Sequence, residues 1–268
     1  DLALDLQGLT KSAILAVVSR APVRLGYHFQ REAAPWLVRP VPPRPQSAHV
    51  VEHYLDVVRH LGANPGKVRF PFTIPEEADA GVVAMLREAG VNPRAPFVTV
   101  NPAAGTALKQ WGAENYAALM DALQETLGLP AVLVTADLAV AAQVRRAARR
   151  PFGDLAGRTD LKQLAAVLRR GAAHVCGDTG SGHLAAALER PVLSLIGPSE
   201  PERVCPYGQR ANTIQHRALC SSACRHHHCQ FERPRCLAAI TVPEVLERLR
   251  ALVPARVPAG EPPRQGGS

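Results

Sequence analysis

The chain has 268 residues, of which 47% are hydrophobic and 20% are charged, and its net charge is +8. This composition is that of a globular protein and excludes a wholly disordered or collagen-like chain. No apolar run approaches the roughly 18 residues that a membrane-spanning helix needs. The positive charge favours an anionic partner, which can be a phosphate compound, a nucleic acid or an acidic membrane surface.

The first ninety residues predict few regular elements. We predict strands at 1–6 and 24–27, a short helix at 12–18, a proline-rich extended loop at 35–46, a helix at 49–61, an extended segment at 68–74 and a helix at 75–89. The chain starts within an alternating strand pattern and without Met, so we expect that N-terminal sequence is missing. Residues 1–90 are therefore interpreted as the remainder of an α/β domain.

From residue 96 onward, strands and helices alternate regularly. Strands are predicted at 97–100, 131–134, 172–176 and 192–196, and helices at 113–126, 138–149, 160–169, 181–188 and 242–253. Such βα units predict a parallel sheet covered by helices on both faces. The predicted fold class is therefore α/β, with a domain boundary near residues 85–95, a complete second domain at 91–253 and a disordered tail at 254–268.

The strongest motif is Cys176–Leu184, which lies between a predicted strand and a predicted helix. Its three glycines allow the backbone to approach a ligand closely, and the N–H groups at the start of the helix favour a phosphate. Asp178 ends the strand, where ligands of open α/β sheets bind, and His183 lies in the first helical turn. The alternative is a tight turn in which Asp178 only caps the helix.

A second motif, Asn101–Thr106 followed by Lys109-Gln110-Trp111, also joins a strand to a helix. Lys109 is suited to neutralise a phosphate, and the Thr106 hydroxyl is suited to donate a hydrogen bond to it. The alternative is a solvated lysine in a loop, with Trp111 packed under the helix.

Taken together, the ordered motifs of this chain resemble the family 9 glycosyltransferases, the ADP-heptose:lipopolysaccharide heptosyltransferases. The matching segments are Asp5–Leu9 with Lys11-Ser12, Arg31-Glu32, Lys109–Trp111, Leu155–Leu161, Gly177–Gly180 with His183–Ala187, Pro191-Val192 and Gly197–Pro201. The resemblance implies two Rossmann-like domains of the B-type glycosyltransferase architecture, with the N-terminal one incomplete. The N-terminal domain would face the lipid acceptor, and the C-terminal domain would bind the nucleotide sugar.

The implied activity is transfer of heptose from ADP-heptose to the inner core of lipopolysaccharide, either to Kdo or to the first heptose. By the same resemblance, donor binding belongs to Thr106, Lys109, Asp137, Asp178, Thr179, Gly180 and His183. Lys109 and Asp178 would be catalytic, no metal would be required, and Asp137 stands where the family has a longer, ribose-binding glutamate. The general base is expected in an upstream loop that this sequence lacks.

Basic residues of the N-terminal part suggest an acceptor site. Lys11 and Arg31 stand at positions like those of the family and could face the acid groups of a Kdo–lipid A acceptor. The alternatives are solvated charges or an ion pair of Arg31 with Glu32. The resemblance implies a cytoplasmic protein with peripheral attachment to the inner membrane. The arginine pairs at 145–146, 149–150 and 169–170 could assist that attachment. The alternative, which we favour, is that they belong to exposed helix faces. Nucleic acid is disfavoured because aromatic residues do not interleave with the basic ones.

A cysteine cluster near the end of the predicted domain is the third feature of interest. Cys220, Cys224, Cys229 and Cys236 have the spacing C-x3-C-x4-C-x6-C, and four thiolates are able to hold a structural zinc. The alternative is a cysteine-rich loop with a purely structural role.

Three functions other than heptose transfer stay open for the chain: a different nucleotide-sugar transferase, a non-catalytic nucleotide-binding fragment and a metal-binding interaction module.

Overall fold

The structure, a computed structural model, describes residues 1–219, 229, 231 and 234–253. These residues form two compact α/β units. The first comprises Asp1–Arg69 with Glu202–Val204, and the second begins at Phe70 and holds the remaining described residues. The predicted tail at 254–268 lies outside the described residues. Within the described ranges, no helix combines the length and the apolar content that crossing a membrane would require.

The first unit is a three-stranded parallel sheet with three helices. Its strands are β1 (Leu2–Asp5), β2 (Val23–Tyr27) and β3 (Arg39–Val41), in the order β1-β2-β3, and its helices are α1 (Thr10–Val18), α2 (Ala34–Leu37) and α3 (Val50–His60). Strand β3 runs through the segment that we predicted as a loop. Pro40 has no backbone N–H to donate. The strand tolerates it because β3 pairs only with β2 in the described sheet, so no hydrogen bond to a second neighbouring strand is lost.

The second unit is a six-stranded parallel sheet between layers of helices. Its strands are β4 (Val98–Asn101), β5 (Ala131–Leu133), β6 (Gly153–Asp154), β7 (Ala173–Cys176), β8 (Val192–Leu195) and β9 (Thr213–Ile214). Its helices are α4 (Glu76–Glu88), α5 (Ala113–Leu127), α6 (Leu138–Ala147), α7 (Leu161–Arg170), α8 (Gly180–Ala187), α10 (Arg235–Ala238) and α11 (Val242–Leu252). The short helix α9 (Pro201–Val204) belongs to the first unit except for Pro201. The four predicted strands are confirmed, whereas 68–74 forms no strand.

Helix α4 belongs to the second unit, so the change of unit after Arg69 precedes the boundary that we predicted near residues 85–95. Its Val82 and Leu86 are buried in one apolar cluster with Phe97, beside β4. On the same helix, the Asp79 carboxylate forms ion pairs with Arg169 and Arg170 at the end of α7. This packing ties α4 to the larger sheet although it precedes the first regular βα unit.

The strand order of the second sheet, β6-β5-β4-β7-β8-β9, creates a switch point in its centre. Numbered within the unit, this is the order 3-2-1-4-5-6 of doubly wound dinucleotide-binding folds. The chain leaves β4 toward one side of the sheet and β7 toward the other, so the loops beyond these two strands diverge and leave a crevice. Both motifs that we selected from the sequence follow these two strands.

Candidate functional site

An ion pair joins the two predicted motifs at the switch point. Lys109 ends a 3₁₀ turn at Ala107–Lys109 in the loop after β4, and its Nζ lies 2.6 Å from Oδ2 of Asp178, which follows β7. The Ser199 hydroxyl, in the loop after β8, donates to the same Oδ2 atom over 2.6 Å. Three loops at the carboxyl edge of the sheet therefore meet at one carboxylate.

The surroundings of Asp178 keep its carboxyl group ionised. Burial acts to raise the pKa, but hydrogen bonds from Lys109 and Ser199, together with the charges of Lys109 and His183, bring the pKa of Asp178 below its ordinary value. The Lys109 side chain retains 26% exposure, so its ammonium is held by Asp178 and still open to solvent. A lysine oriented in this way is suited to contact an anion at the edge of the sheet.

Acid should remove the contribution of this carboxylate to stability. Because folding lowers the pKa of Asp178 from its ordinary value of 3.8, the ionised group stabilises the folded protein above that pH, and the stabilisation is lost as the pH falls through the folded-state pKa. We expect Asp178→Asn to lower the melting temperature at pH 6 and to lower it less at pH 3. An equal loss at both pH values, measured by thermal unfolding, would contradict the ionised pairing.

The three glycines of the Cys176–Leu184 motif, one before α8 and two in its first turn, have different roles. A side chain at Gly177 would meet the Lys109 carbonyl at 3.1 Å, and one at Gly182 would meet the Cys176 sulfur at 2.7 Å, so these two glycines permit close protein packing. Only at Gly180 would a Cβ atom meet nothing within 4 Å. The sequence-based interpretation that all three glycines admit a ligand is therefore corrected: Gly180 alone faces open space at the start of the helix.

The remaining predicted donor residues lie around this ion pair. Thr179 is the N-cap of α8, where its hydroxyl accepts from the Ser181 N–H, and His183 is exposed on the first turn of that helix. Thr106 is exposed at the start of the 3₁₀ turn, and its carbonyl accepts from the Lys109 N–H. These residues share the carboxyl edge of β4 and β7, as predicted for a single site.

Asp137 lies beyond the neighbouring strand β5 and caps α6. Its Oδ1 accepts from the N–H groups of Ala139 and Val140, both over 3.0 Å. The structure therefore supplies a helix-capping role for this residue, and its predicted contact with a ribose stays a prediction.

Two substitutions separate the capping and ligand-binding roles of Asp137. Asp137→Ala should lower the free energy of unfolding by about 1 kcal/mol, whereas Asp137→Ser should restore most of it, because serine caps helices nearly as well as aspartate. Neither variant has a carboxylate for a ribose, so both should bind ADP more weakly. Chemical denaturation and calorimetry measure the two effects. If the serine variant binds ADP as tightly as the wild-type chain, Asp137 caps the helix and does not contact the ribose.

The functional residue that the sequence analysis passed over is Ser199. It stands in the Gly197–Pro201 motif, which we used for the resemblance without assigning a role. The signal was its place in the loop that follows the buried strand β8, since the loops after the strands of an open α/β sheet carry its ligands. Its partner lies 21 residues earlier, so only the folded chain shows the contact.

The predicted acceptor residues lie in the first unit. Phe29 follows β2 and is 43% exposed, and the Arg31 guanidinium lies 5.9 Å from its ring centroid. The Glu32 carboxylate accepts from the Thr10 N–H over 3.2 Å, and hydrogen bonds from Thr10 together with the charges of Arg31 and Lys11 lower the pKa of Glu32. Both cations are exposed and lie near this acid, so the predicted alternative of a local pairing with Glu32 stays open.

Most of the arginines that we considered for membrane attachment are engaged within the protein. Arg145 pairs with Asp154, and Arg150 pairs with Glu125. Arg169 and Arg170 both pair with Asp79. These contacts favour the alternative interpretation, in which the pairs belong to solvated helix faces.

The cysteine cluster is only partly visible. Cys220 and Cys224 lie outside the described residues, while Cys229 is half-buried and Cys236 is buried, and neither forms a disulfide. Among the residues that the structure describes, no group of three His, Cys, Asp or Glu side chains is placed to hold a metal ion. The predicted zinc site therefore stays a prediction.

The fold and this site define a class. A doubly wound sheet that presents a lysine and the start of a helix at its switch point is the arrangement of nucleotide-binding proteins. The model of glycosyltransferase family 9 (heptosyltransferase) matches residues 1–234, and the chain belongs to this family.

Individual relatives agree with the family assignment. Lipopolysaccharide heptosyltransferase 3 of Escherichia coli K12 is 26% identical over 218 residues, which are 80% of this chain and 62% of that protein. Lipopolysaccharide heptosyltransferase 1 of Pseudomonas aeruginosa is 33% identical over 221 residues, 78% of this chain and 58% of that protein. The chain therefore spans less than two thirds of the length of these relatives.

A solved structure matches over more of the chain. The E. coli ADP-heptose lps heptosyltransferase II has a TM-score of 0.71 and 25% identity, and the match covers 94% of this chain and 76% of that one. This likeness confirms the predicted α/β class and the B-type glycosyltransferase architecture. The predicted incompleteness of the N-terminal domain stays a prediction.

Proposed function

We propose that this chain carries the donor site of a heptosyltransferase that transfers heptose from ADP-heptose to the inner core of lipopolysaccharide. The observation that carries the proposal is the Lys109–Asp178 ion pair of 2.6 Å at the switch point, beside the start of α8. The ADP-heptose lps heptosyltransferase II of E. coli shares the fold over 94% of the chain. The diphosphate of the donor is the anion that this edge of the sheet suits.

The reaction assigns each group a task. The bond between the heptose C1 atom and the β-phosphate oxygen breaks, ADP leaves with the electron pair, and C1 forms a bond to an acceptor hydroxyl oxygen. A base removes the hydroxyl proton. Negative charge therefore grows on the β-phosphate, where the Lys109 ammonium and the N–H groups of the first turn of α8 stabilise it.

Asp178 acts on the donor mainly through Lys109. A carboxylate repels a phosphate, but one that accepts from Lys109 and Ser199 fixes the lysine in place before the donor binds. Such preorganisation reduces the reorganisation needed in the transition state. The same oxygen atoms remain able to accept from a sugar hydroxyl.

The acceptor side rests on the first unit. Lys11 and Arg31 are exposed cations that face one acid between them, Glu32, and a Kdo–lipid A acceptor offers further carboxylates and phosphates. The opening segments resemble the enzyme that adds the first heptose to Kdo, whereas the cysteine cluster resembles that of the enzyme that adds the second heptose, so the proposal includes both acceptors. Such an acceptor is presented at the cytoplasmic face of the inner membrane, where a protein of net charge +8 is attracted by anionic lipid.

Product formation tests the proposal. The chain is incubated with ADP-heptose and Kdo–lipid A, and ADP release is compared with and without the acceptor. Acceptor-dependent release that Lys109→Ala abolishes supports a heptosyltransferase. Binding of ADP-heptose without transfer, both in this chain and in one extended at its N-terminus, identifies a non-catalytic nucleotide-binding unit. ADP release that depends on an acceptor other than Kdo–lipid A favours the alternative transferase with a different acceptor.

A further inference from the structure

A fully buried histidine lies beneath the two loops of the donor site. His174 is the second residue of β7 and is 1% exposed. Its Nδ1 atom lies 2.9 Å from the Thr99 hydroxyl on β4, and its Nε2 atom lies 2.9 Å from the Ser181 hydroxyl in the first turn of α8. From the sequence, we predicted His174 only as part of the strand at 172–176.

The hydrogen bonds around His174 determine its tautomer. The Thr99 hydroxyl donates to the Ala173 carbonyl over 3.2 Å, so its oxygen accepts from His174 Nδ1–H. Nε2 then carries no proton and accepts from the Ser181 hydroxyl. Burial lowers the pKa of His174 to about 4, so the ring is neutral at physiological pH.

The network continues from Ser181 into the loop that carries Lys109. Asn101 Nδ2 donates to the Ser181 oxygen over 2.9 Å, and Asn101 Oδ1 accepts from the Ala103 N–H over 3.1 Å. One directional chain of hydrogen bonds thus connects Asn101 at the end of β4, Ser181 in α8 and His174 in β7. Each buried member has both a donor and an acceptor partner, which makes the arrangement rigid.

We propose that His174 is a positioning residue of the donor site, which holds the loop after β4 and the start of α8 in register through Ser181 and Asn101. The inference rests on the proposed donor site, because its consequence for function is a preorganised cradle for the diphosphate. Loss of the acceptor nitrogen would leave the Ser181 hydroxyl without its buried partner. Both loops would then gain freedom, although no residue that contacts the donor has changed.

The test compares loop order and ADP affinity across four variants. His174→Leu removes both ring nitrogens, and Ser181→Ala removes the hydroxyl that donates to Nε2. His174→Gln retains an acceptor near the position of Nε2. Val245→Ala, in the buried face of α11, is the control for general destabilisation. Ser181→Ala also covers the case in which His174→Leu fails to fold, since alanine favours the helix.

Amide hydrogen exchange of the ligand-free protein and calorimetric titration with ADP are the measurements. We expect His174→Leu and Ser181→Ala to accelerate exchange at 101–106 and 179–182 on the order of tenfold and to weaken ADP binding about threefold to tenfold. His174→Gln should restore most of both, and Val245→Ala should lower the melting temperature without changing ADP affinity.

The outcomes separate this inference from the proposed function. Unchanged exchange in both loops of the leucine and alanine variants overturns the positioning role, whether or not ADP binds. Changed exchange with equal ADP affinity in all variants also overturns it, because the loops would then not matter for the donor. If the wild-type chain binds no ADP while the exchange changes as expected, the donor site fails and the role of His174 in ordering the loops stands.

Discussion

Lys109→Ala should weaken ADP binding about tenfold to a hundredfold. The Nζ atom is oriented by Asp178, and the side chain is open to solvent, so its ammonium is available to a diphosphate. A hydrogen bond from a charged group contributes about 1.5–3 kcal/mol, and every 1.4 kcal/mol changes the dissociation constant tenfold. Isothermal titration calorimetry of the two proteins measures the difference.

Matched variants make the lysine result specific. Lys162→Ala removes a lysine of α7 that donates to the Thr73 carbonyl and lies over Phe72, so it should leave ADP affinity unchanged. In the Asp178→Ala background, Lys109→Ala should have a smaller effect, because the lysine is no longer held. Fully additive losses would show that Asp178 contributes independently of Lys109.

Gly180→Ala should weaken ADP binding at least about tenfold and leave the fold intact. The added methyl group meets no protein atom within 4 Å, and alanine is a better helix former than glycine, so stability should not fall. A phosphate at the start of α8 would, however, occupy the same space. Thermal unfolding and ADP titration of one variant therefore separate protein packing from ligand contact.

The control for Gly180→Ala is the same substitution at Gly81 in α4. There the new Cβ would lie 3.9 Å from Gln163 Nε2, an ordinary contact away from the carboxyl edge of the sheet. Gly81→Ala should preserve ADP affinity. If Gly180→Ala binds ADP as tightly as the wild-type chain, the phosphate does not lie at the start of α8.

The sequence predicts the larger sheet well for a physical reason. The predicted strand 131–134 is a continuous apolar run, and the predicted strand 97–100 is apolar except for Thr99. A parallel sheet that is buried on both faces favours such runs. Each run is followed by a helical pattern, so the βα alternation identifies the fold class. Strands β6 and β9 were missed because two residues carry no periodicity.

The first unit shows where local patterns mislead. The prolines of residues 35–46 led us to predict a loop, but Arg39–Val41 pairs with β2. An edge strand tolerates a proline such as Pro40. The boundary prediction followed the start of the regular alternation, whereas the apolar face of α4 assigns that helix to the second unit. Packing between distant segments decided both points.

The sequence was sufficient to predict that the candidate site lies at the carboxyl edge of the sheet. It did not predict which side chains contact each other there. Lys109 and Asp178 each follow a buried strand, so the sequence places both at the carboxyl edge. Their contact at 2.6 Å, the second hydrogen bond from Ser199 and the packing roles of Gly177 and Gly182 depend on loops that approach only in the folded chain. The His174 network was hidden for the same reason.

Titration of the isotope-labelled chain with ADP, followed through backbone amide resonances, tests the donor site most directly. We expect the resonances of the Asn101–Lys109 loop and of Thr179–Gly182 to shift together and to saturate at a single dissociation constant, between about 1 μM and 1 mM. Resonances of α4 and α11 should stay in place. Absence of shifts in both loops at several times that upper limit, or shifts confined to other elements, would contradict a donor site at the switch point.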